Sequence, residues 1–328
     1  MAYTTIDNPG EYFNTKLYTG NGGTQSITGV GFQPDWIWVK SRSGAFNHEV
    51  IDVIRGGGVG LFPNLENAES GSRSLSGFIS DGFTLNGNDT TSNNNSSTYA
   101  SWNWKESATA GFDIVSYTGN GSARTISHSL SAVPSMMIVK SRSSANKPWC
   151  VYHHKNTSAP ETEFLSLNNT NATADNSAFW NDTAPTSSVF SVKNSNDVNE
   201  NGTTYIAYLF SEKKGYSKFG IYTGNQNVDG TFVYLGFKPA FVMVKRTDST
   251  SDWLICDNKR DPHNGVFKKL FPNLNQGDDS YISFDFVSNG FKIRSAGTGH
   301  NASGANMIYM AFAESPFVSS SGVPTTAR

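Results

Sequence analysis

Charge is scarce in this chain. Its 25 Lys and Arg and 27 Asp and Glu make up 16% of 328 residues, with a net charge of -2 and a pI near 6.3. No Lys/Arg cluster forms a stripe able to follow a phosphate backbone, which argues against nucleic acid as a partner. No run of 18 or more apolar residues occurs, and Met1-Ala2-Tyr3-Thr4-Thr5-Ile6-Asp7 lacks the basic and apolar regions of a signal peptide. The expectation is a soluble protein made in a cytoplasm, with no membrane insertion. Only two cysteines are present, Cys150 and Cys256, following Trp149 and Trp253 at matching points of the chain. A disulfide between equivalent points of separate cores is improbable, so buried free thiols are expected. None of the six histidines stands in a zinc-type spacing, and the adjacent His153 and His154 should point to opposite faces of a strand. No Walker sequence, nucleophile elbow or dinucleotide fingerprint is present, and Gly56 to Gly60 reads as a flexible turn. No metal or cofactor is expected. The Asn-x-Ser/Thr triplets, at Asn88, Asn171, Asn181 and Asn301 among others, follow from the composition.

What the chain does have is Gly (31), Asn, Ser and Thr in abundance, which favours turns and strands over helices. It also repeats itself three times. Tyr18-Thr19-Gly20-Asn21, Tyr117-Thr118-Gly119-Asn120 and Tyr222-Thr223-Gly224-Asn225 lie 99 and 105 residues apart. Sixteen or seventeen residues after each Tyr comes a proline and then an apolar run closed by a lysine, Pro34 to Lys40, Pro134 to Lys140 and Pro239 to Lys245. Each unit ends in an aromatic-rich strand, Thr98 to Lys105, Thr204 to Glu212 and Met307 to Glu314. Repeats of this length exceed those of solenoids and propeller blades, which points to three tandem domains.

Within a unit the opening reads as a hairpin turning at Gly/Asn. The continuous apolar run reads as a strand buried on both faces, with its lysine surfacing at the strand end. A fourth strand follows at Glu49 to Val53, Trp149 to His153 and Trp253 to Asp257. Gly82 to Leu85, Val189 to Val192 and Gly290 to Ile293 alternate as half-buried strands. The Asn-rich stretches 86–97, 193–203 and 295–306 read as surface loops. The fold class is therefore all-β: three tandem β-sandwich, jelly-roll-like repeats at residues 17–106, 112–212 and 219–315. A short N-terminal arm, 1–16, and C-terminal tail, 316–328, flank them. The linkers, 107–111 and 213–218, are short enough that the domains should touch.

Chemistry-bearing candidates are few. The carboxylate pairs Glu161/Glu163 and Asp278/Asp279 would need a separation of roughly 5 to 10 Å in a cleft to hydrolyse a glycoside, and acids in polar loops are usually solvated. Asn194 to Gly202 resembles a calcium loop, although the matching loops of the other copies lack its acids. Trp36, Trp38, Trp102, Trp104, Trp149 and Trp253 stand where the repeats agree and read as core. Trp180, in a polar stretch without an aromatic counterpart, has two readings: burial at a domain junction, or an exposed platform that stacks on a sugar while Asn181 and Asp182 bond its hydroxyls.

The pattern Tyr-Thr-Gly-Asn-Gly, then Gly-Phe-x-Pro-Asp before an apolar strand, then Thr-Tyr-x-x-Trp-Asn-Trp-Lys, resembles a repeated domain of uncharacterised virion proteins from marine tailed bacteriophages, including cyanophages. The opening Met1 to Gly22 and the close Pro316 to Arg328 resemble the ends of such proteins. The resemblance implies a non-enzymatic structural protein located in the virion, a tail fibre, appendage or adhesin whose partners are other tail or capsid proteins and a host surface glycan or protein. A homotrimer fits general fibre architecture. The arms, through Tyr12, Phe13, Phe317 and Val318, would then dock on neighbours. The alternatives are a capsid decoration protein and a polysaccharide-degrading spike.

Overall fold

The computed structural model of the chain describes residues 3–325. It is all-β, 42% strand and 3% helix, in antiparallel sheets. Repeat 1 holds β1 (Phe13–Thr19), β2 (Gln25–Thr28), β3 (Trp36–Ser41), β4 (Glu49–Asp52), β5 (Leu75–Ile79), β6 (Gly82–Leu85) and β7 (Thr98–Trp104). Repeat 2 holds β8 (Phe112–Thr118), β9 (Arg124–Ser127), β10 (Met136–Ser141), β11 (Cys150–His153), β12 (Glu163–Ser166), β13 (Ala174–Asp175), β14 (Val189–Val192) and β15 (Thr204–Phe210). Repeat 3 holds β16 (Ser217–Thr223), β17 (Phe232–Tyr234), β18 (Phe237–Arg246), β19 (Leu254–Asp257), β20 (Val266–Lys269), β21 (Asp279–Val287), β22 (Gly290–Ile293) and β23 (Asn306–Pro316).

Each repeat builds one larger sheet in the same order, β1-β7-β3-β4, β8-β15-β10-β11 and β16-β23-β18-β19, which repeat 2 extends with β12 and β13. A smaller sheet accompanies each: β2-β6-β5, β9-β14 and β17-β22-β21-β20. The expected opening hairpin does not form. β1 pairs with β7 while β2 pairs with β6, so the Tyr-Thr-Gly-Asn turn carries the chain from one sheet to the other. The turn is tight: a Cβ on Gly20, Gly119 or Gly224 would overlap the backbone of Asn94, Glu200 or Ala302. It is clasped by a buried asparagine in each copy, Asn93, Asn199 and Asn301. The side-chain oxygen of each accepts the backbone N–H of Asn21, Asn120 or Asn225, and the amide reaches two carbonyls in neighbouring loops. The Asn-rich stretches are thus not purely surface loops, because each inserts this clasp.

The apolar runs are buried on both faces, and the structure shows what covers each face. Ile37 and Val39 turn into a cluster within repeat 1, Met137 and Val139 into one within repeat 2, and Val242 and Val244 into one within repeat 3. The alternate positions enter a single core shared by all three repeats: Trp36, Trp38, Trp102 and Trp104 from the first, Met136, Ile138, Tyr208 and Phe210 from the second, and Phe241, Met243, Met310 and Phe312 from the third. By strand register these are the same four positions in each copy. Repeat 1 supplies four indoles where the others supply smaller side chains, so unequal volumes fill one close-packed space.

Contacts around this core repeat cyclically. Asp52 of repeat 1 accepts the Tyr208 hydroxyl at 2.7 Å, His153 of repeat 2 donates to the Tyr309 carbonyl at 3.1 Å, and Asp257 of repeat 3 accepts the Trp102 indole N–H at 3.0 Å. In the opposite sense His48 donates to the Phe271 carbonyl, Trp149 to that of Phe62 and Trp253 to that of Ser166, all at 2.9 Å. Arg42 pairs with Asp278 and Arg142 with Glu69, each at 2.9 Å. Repeat 3 therefore closes back onto repeat 1, and the three surround an approximate three-fold axis.

The lysines that end the apolar runs do not surface. Lys40, Lys140 and Lys245 are all fully buried. Their ammonium groups donate to backbone carbonyls: Ser41 and Gly44, Lys147 and Glu66, Ser251 and Thr170. Burial lowers them, Lys40 to about 7 and the other two to about 8.

Candidate functional site

The residues singled out from sequence do not form a site. Trp180 is 1% exposed, inside the repeat 2 cluster against Phe179 and Tyr152, and its indole N–H donates to the Glu163 carbonyl at 2.9 Å. It offers no ring face to a sugar, and it lies within a repeat rather than at a junction. Asn181 and Asp182 occupy the left-handed turn beyond it, at φ 57° and 45°. The hydrophobic segment that brought Trp180 inward, Phe179-Trp180, is an extra piece of core particular to repeat 2.

The arm residues are also committed internally. Phe13 begins β1 and stacks on Phe312 at 5.1 Å in the shared core, and Tyr12 meets Tyr216 edge-on at 6.1 Å. Ile6 is buried in the same core, and the Tyr3 hydroxyl donates to the Gly236 carbonyl at 2.8 Å. At the other end the Phe317 N–H bonds the Gly236 carbonyl, Val318 bridges to Pro324, and the Ser320 hydroxyl and N–H bond the Asp7 carboxylate. The described parts of both arms fold onto the body instead of projecting from it.

The carboxylate candidates are similarly placed. Asp278 is shared by Arg42 and Arg260, and Asp279 pairs with Lys269 at 3.2 Å. In the stretch resembling a calcium loop, Asn199 serves as the turn clasp. His153 and His154, expected on opposite faces, touch edge to face at 5.5 Å because β11 ends at His153 and the chain turns. Each donates to a repeat 3 carbonyl, Tyr309 and Phe219. Burial lowers His153 to about 3 and moves His154 in the same direction. Among the described residues no three His, Cys, Asp or Glu side chains come together as metal ligands would. Cys150 and Cys256 are free and buried, with thiols raised by burial.

The site the structure does build lies at the junction of repeats 2 and 3, a cleft of about 890 Å³. Repeat 2 contributes His154 and Lys155 from the turn after β11, and Glu212 from just beyond β15. Edge strand β16 gives Lys218, Gly220 and Thr223, and edge strand β17 gives the exposed Phe232 and Tyr234. Lys218 bridges the two edges, donating to the Tyr234 carbonyl at 2.8 Å with its ammonium 5.4 Å from the ring centroid. Tyr309 on β23 lies directly across from Gly220.

Register explains why the cleft opens here. Gly220 corresponds to Lys16 in repeat 1 and Val115 in repeat 2, and Tyr309 to Ser101 and Ala207. In repeat 1, Lys16 reaches across to Gly29 and leaves a gap of about 270 Å³. In repeat 3 the missing side chain makes room for the Tyr309 ring, and a Cβ at Gly220 would overlap its hydroxyl. Tyr309 is 4% exposed, its hydroxyl has no hydrogen-bond partner among the described residues, and burial raises its pKa. Of the nine exposed large hydrophobics among the described residues, six lie in repeat 3: Ile221, Val228, Phe232, Tyr234, Phe267 and Tyr281. Three of these line the cleft.

No curated protein matches the chain. No solved structure matches it either. Residues 8–316 match the family described as a domain of unknown function, DUF7483, and because that match takes in all three repeats, the protein belongs to this family.

Proposed function

We propose that the protein is a non-enzymatic structural component displayed on the surface of a bacteriophage particle, a tail-fibre, appendage or adhesin part that meets the host. The observation that supports this best is the closed ring of three repeats about one aromatic core. Fibres and appendages usually obtain three-fold symmetry from three chains, and this chain carries the equivalent arrangement within itself. Each repeat is read as a jelly-roll-like β-sandwich, since a larger and a smaller sheet accompany an apolar cluster of its own. Polar connecting loops around one shared core suit a part that must survive outside a cell. A cryo-EM map of the particle tests the reading. Density for the ring at the tail or its appendages supports it, density on the capsid lattice makes the protein a head decoration protein, and particles without the chain reject both.

A further inference from the structure

We infer that the cleft between repeats 2 and 3 binds a saccharide, accommodating one or two pyranose rings. This rests on the surface-display reading for its biological sense but not for its chemistry. The exposed rings of Phe232 and Tyr234, 45% and 50% accessible, stand on one face of β17 at the cleft wall. Exposed aromatic rings beside polar groups offer the C–H face of a sugar a stacking surface. Polar groups line the rest of the cleft: Glu212 to accept, Lys155 and Lys218 to donate, and the Thr223 and Thr231 hydroxyls, which already donate to Asn306 and to the Thr223 carbonyl, to accept.

Tyr309 carries the argument further than an aromatic patch would. The rest of the Tyr309 side chain is buried, while its hydroxyl makes no hydrogen bond to the described protein and meets water at the cleft lining, a place that a ligand hydroxyl can take. Here the two exchanges that open the cleft, Gly at 220 and Tyr at 309, bring an unpartnered hydroxyl to its lining. The other two copies have neither exchange. A ligand hydroxyl lying between Tyr309 and the β17 aromatics would replace water on the group while its ring stacks.

The experiment is binding of the full chain to an array of neutral and carboxylated pyranose oligosaccharides, followed by titration of the best one against three variants. Tyr309→Phe removes only the hydroxyl and should weaken binding about 3- to 10-fold, with no loss of thermal stability. Phe232→Ala, on an exposed site, should weaken it about 10-fold or more. Gly220→Ala displaces Tyr309 and should weaken binding at least as much as Tyr309→Phe. No binding across the array, or a best ligand whose affinity all three variants leave intact, overturns the inference. Loss with Phe232→Ala alone, with Tyr309→Phe unchanged, would refute the role of the hydroxyl. Chain found on particles without sugar binding would sink this inference and leave the proposed function standing. Sugar binding by a chain absent from particles would do the reverse.

Discussion

Because one aromatic core serves three repeats, damage to one repeat should be felt by all. Trp36 packs against Trp104 at 4.5 Å in its own repeat and against Tyr208 at 4.8 Å and Phe210 at 5.7 Å in the next. It is 1% exposed, so Trp36→Ala leaves a large cavity and should cost about 4 kcal/mol, within the range for deleting a buried aromatic. How that loss appears depends on the size of the cooperative unit. If the whole chain unfolds together, its unfolding entropy is roughly 0.7 kcal/mol/K, and Tm falls by about 6 °C as one transition. If a repeat of about 100 residues unfolds alone, its entropy is about 0.2 kcal/mol/K, and a third of the signal moves by about 20 °C while the rest stays put. Differential scanning calorimetry separates the two, since the van't Hoff to calorimetric enthalpy ratio should be near one for a single unit. A split endotherm with an unmoved part would refute the shared-core argument.

Acid should weaken the fold. Burial holds His153 near 3 and His300 near 4, below the unfolded value of about 6.5, so between these limits the unfolded chain binds protons that the native one does not. Stability present above pH 6.5 is then lost as pH falls, by about 2 kcal/mol per group at pH 5. Glu106, pushed up to about 7 by burial and by its neighbour Asp113, works in the opposite sense, but it is only half-buried, so solvent screening leaves it offsetting less than one of the two. Urea titrations at pH 7, 6 and 5 should show a net loss of about 2 to 3 kcal/mol, and a flat profile would contradict it. Replacing the Asn199 clasp by Ala strands the Asn120 N–H and the carbonyls of Ser122 and Lys193, which should cost about 1–3 kcal/mol or more. Replacing the exposed Asn201 nearby should cost less than about 0.5 kcal/mol in the same denaturation assay.

The repeats and most strands were legible because strand register survives as residue spacing: the lysine-terminated runs align to the residue and pair identically in all three copies. That both faces of those runs are buried was also legible. What covers the second face was not, because a continuous apolar strand reads the same under a helix, a sheet or another repeat. The hairpin was misread since Asn-Gly signals a reversal of the chain and not which sheet the next strand joins. The lysines were misplaced because sequence does not reveal the carbonyls gathered around each ammonium group. Trp180 misled for a related reason, as polar neighbours in sequence say little about which atoms cover a ring in space.

The cleft left a trace that a single-copy reading overlooks. Three internal copies act as controls for one another, and a position that changes character in only one copy has escaped the packing demand the other two obey. The paired exchange of Gly220 for Lys16 or Val115 and of Tyr309 for Ser101 or Ala207 is such a departure. One strand loses a side chain where the facing strand gains a ring, which keeps the volume roughly constant and moves a hydroxyl to the surface of a gap. Repacking alone would explain the exchange of volume, because volume-conserving swaps cost little. It does not explain why the added side chain carries a polar atom that no protein group satisfies, or why the exposed aromatics gather in that repeat. Those two facts belong together if the cleft receives something from outside, and Tyr309→Phe separates the accounts: under repacking alone the variant is indistinguishable from the parent in every binding assay.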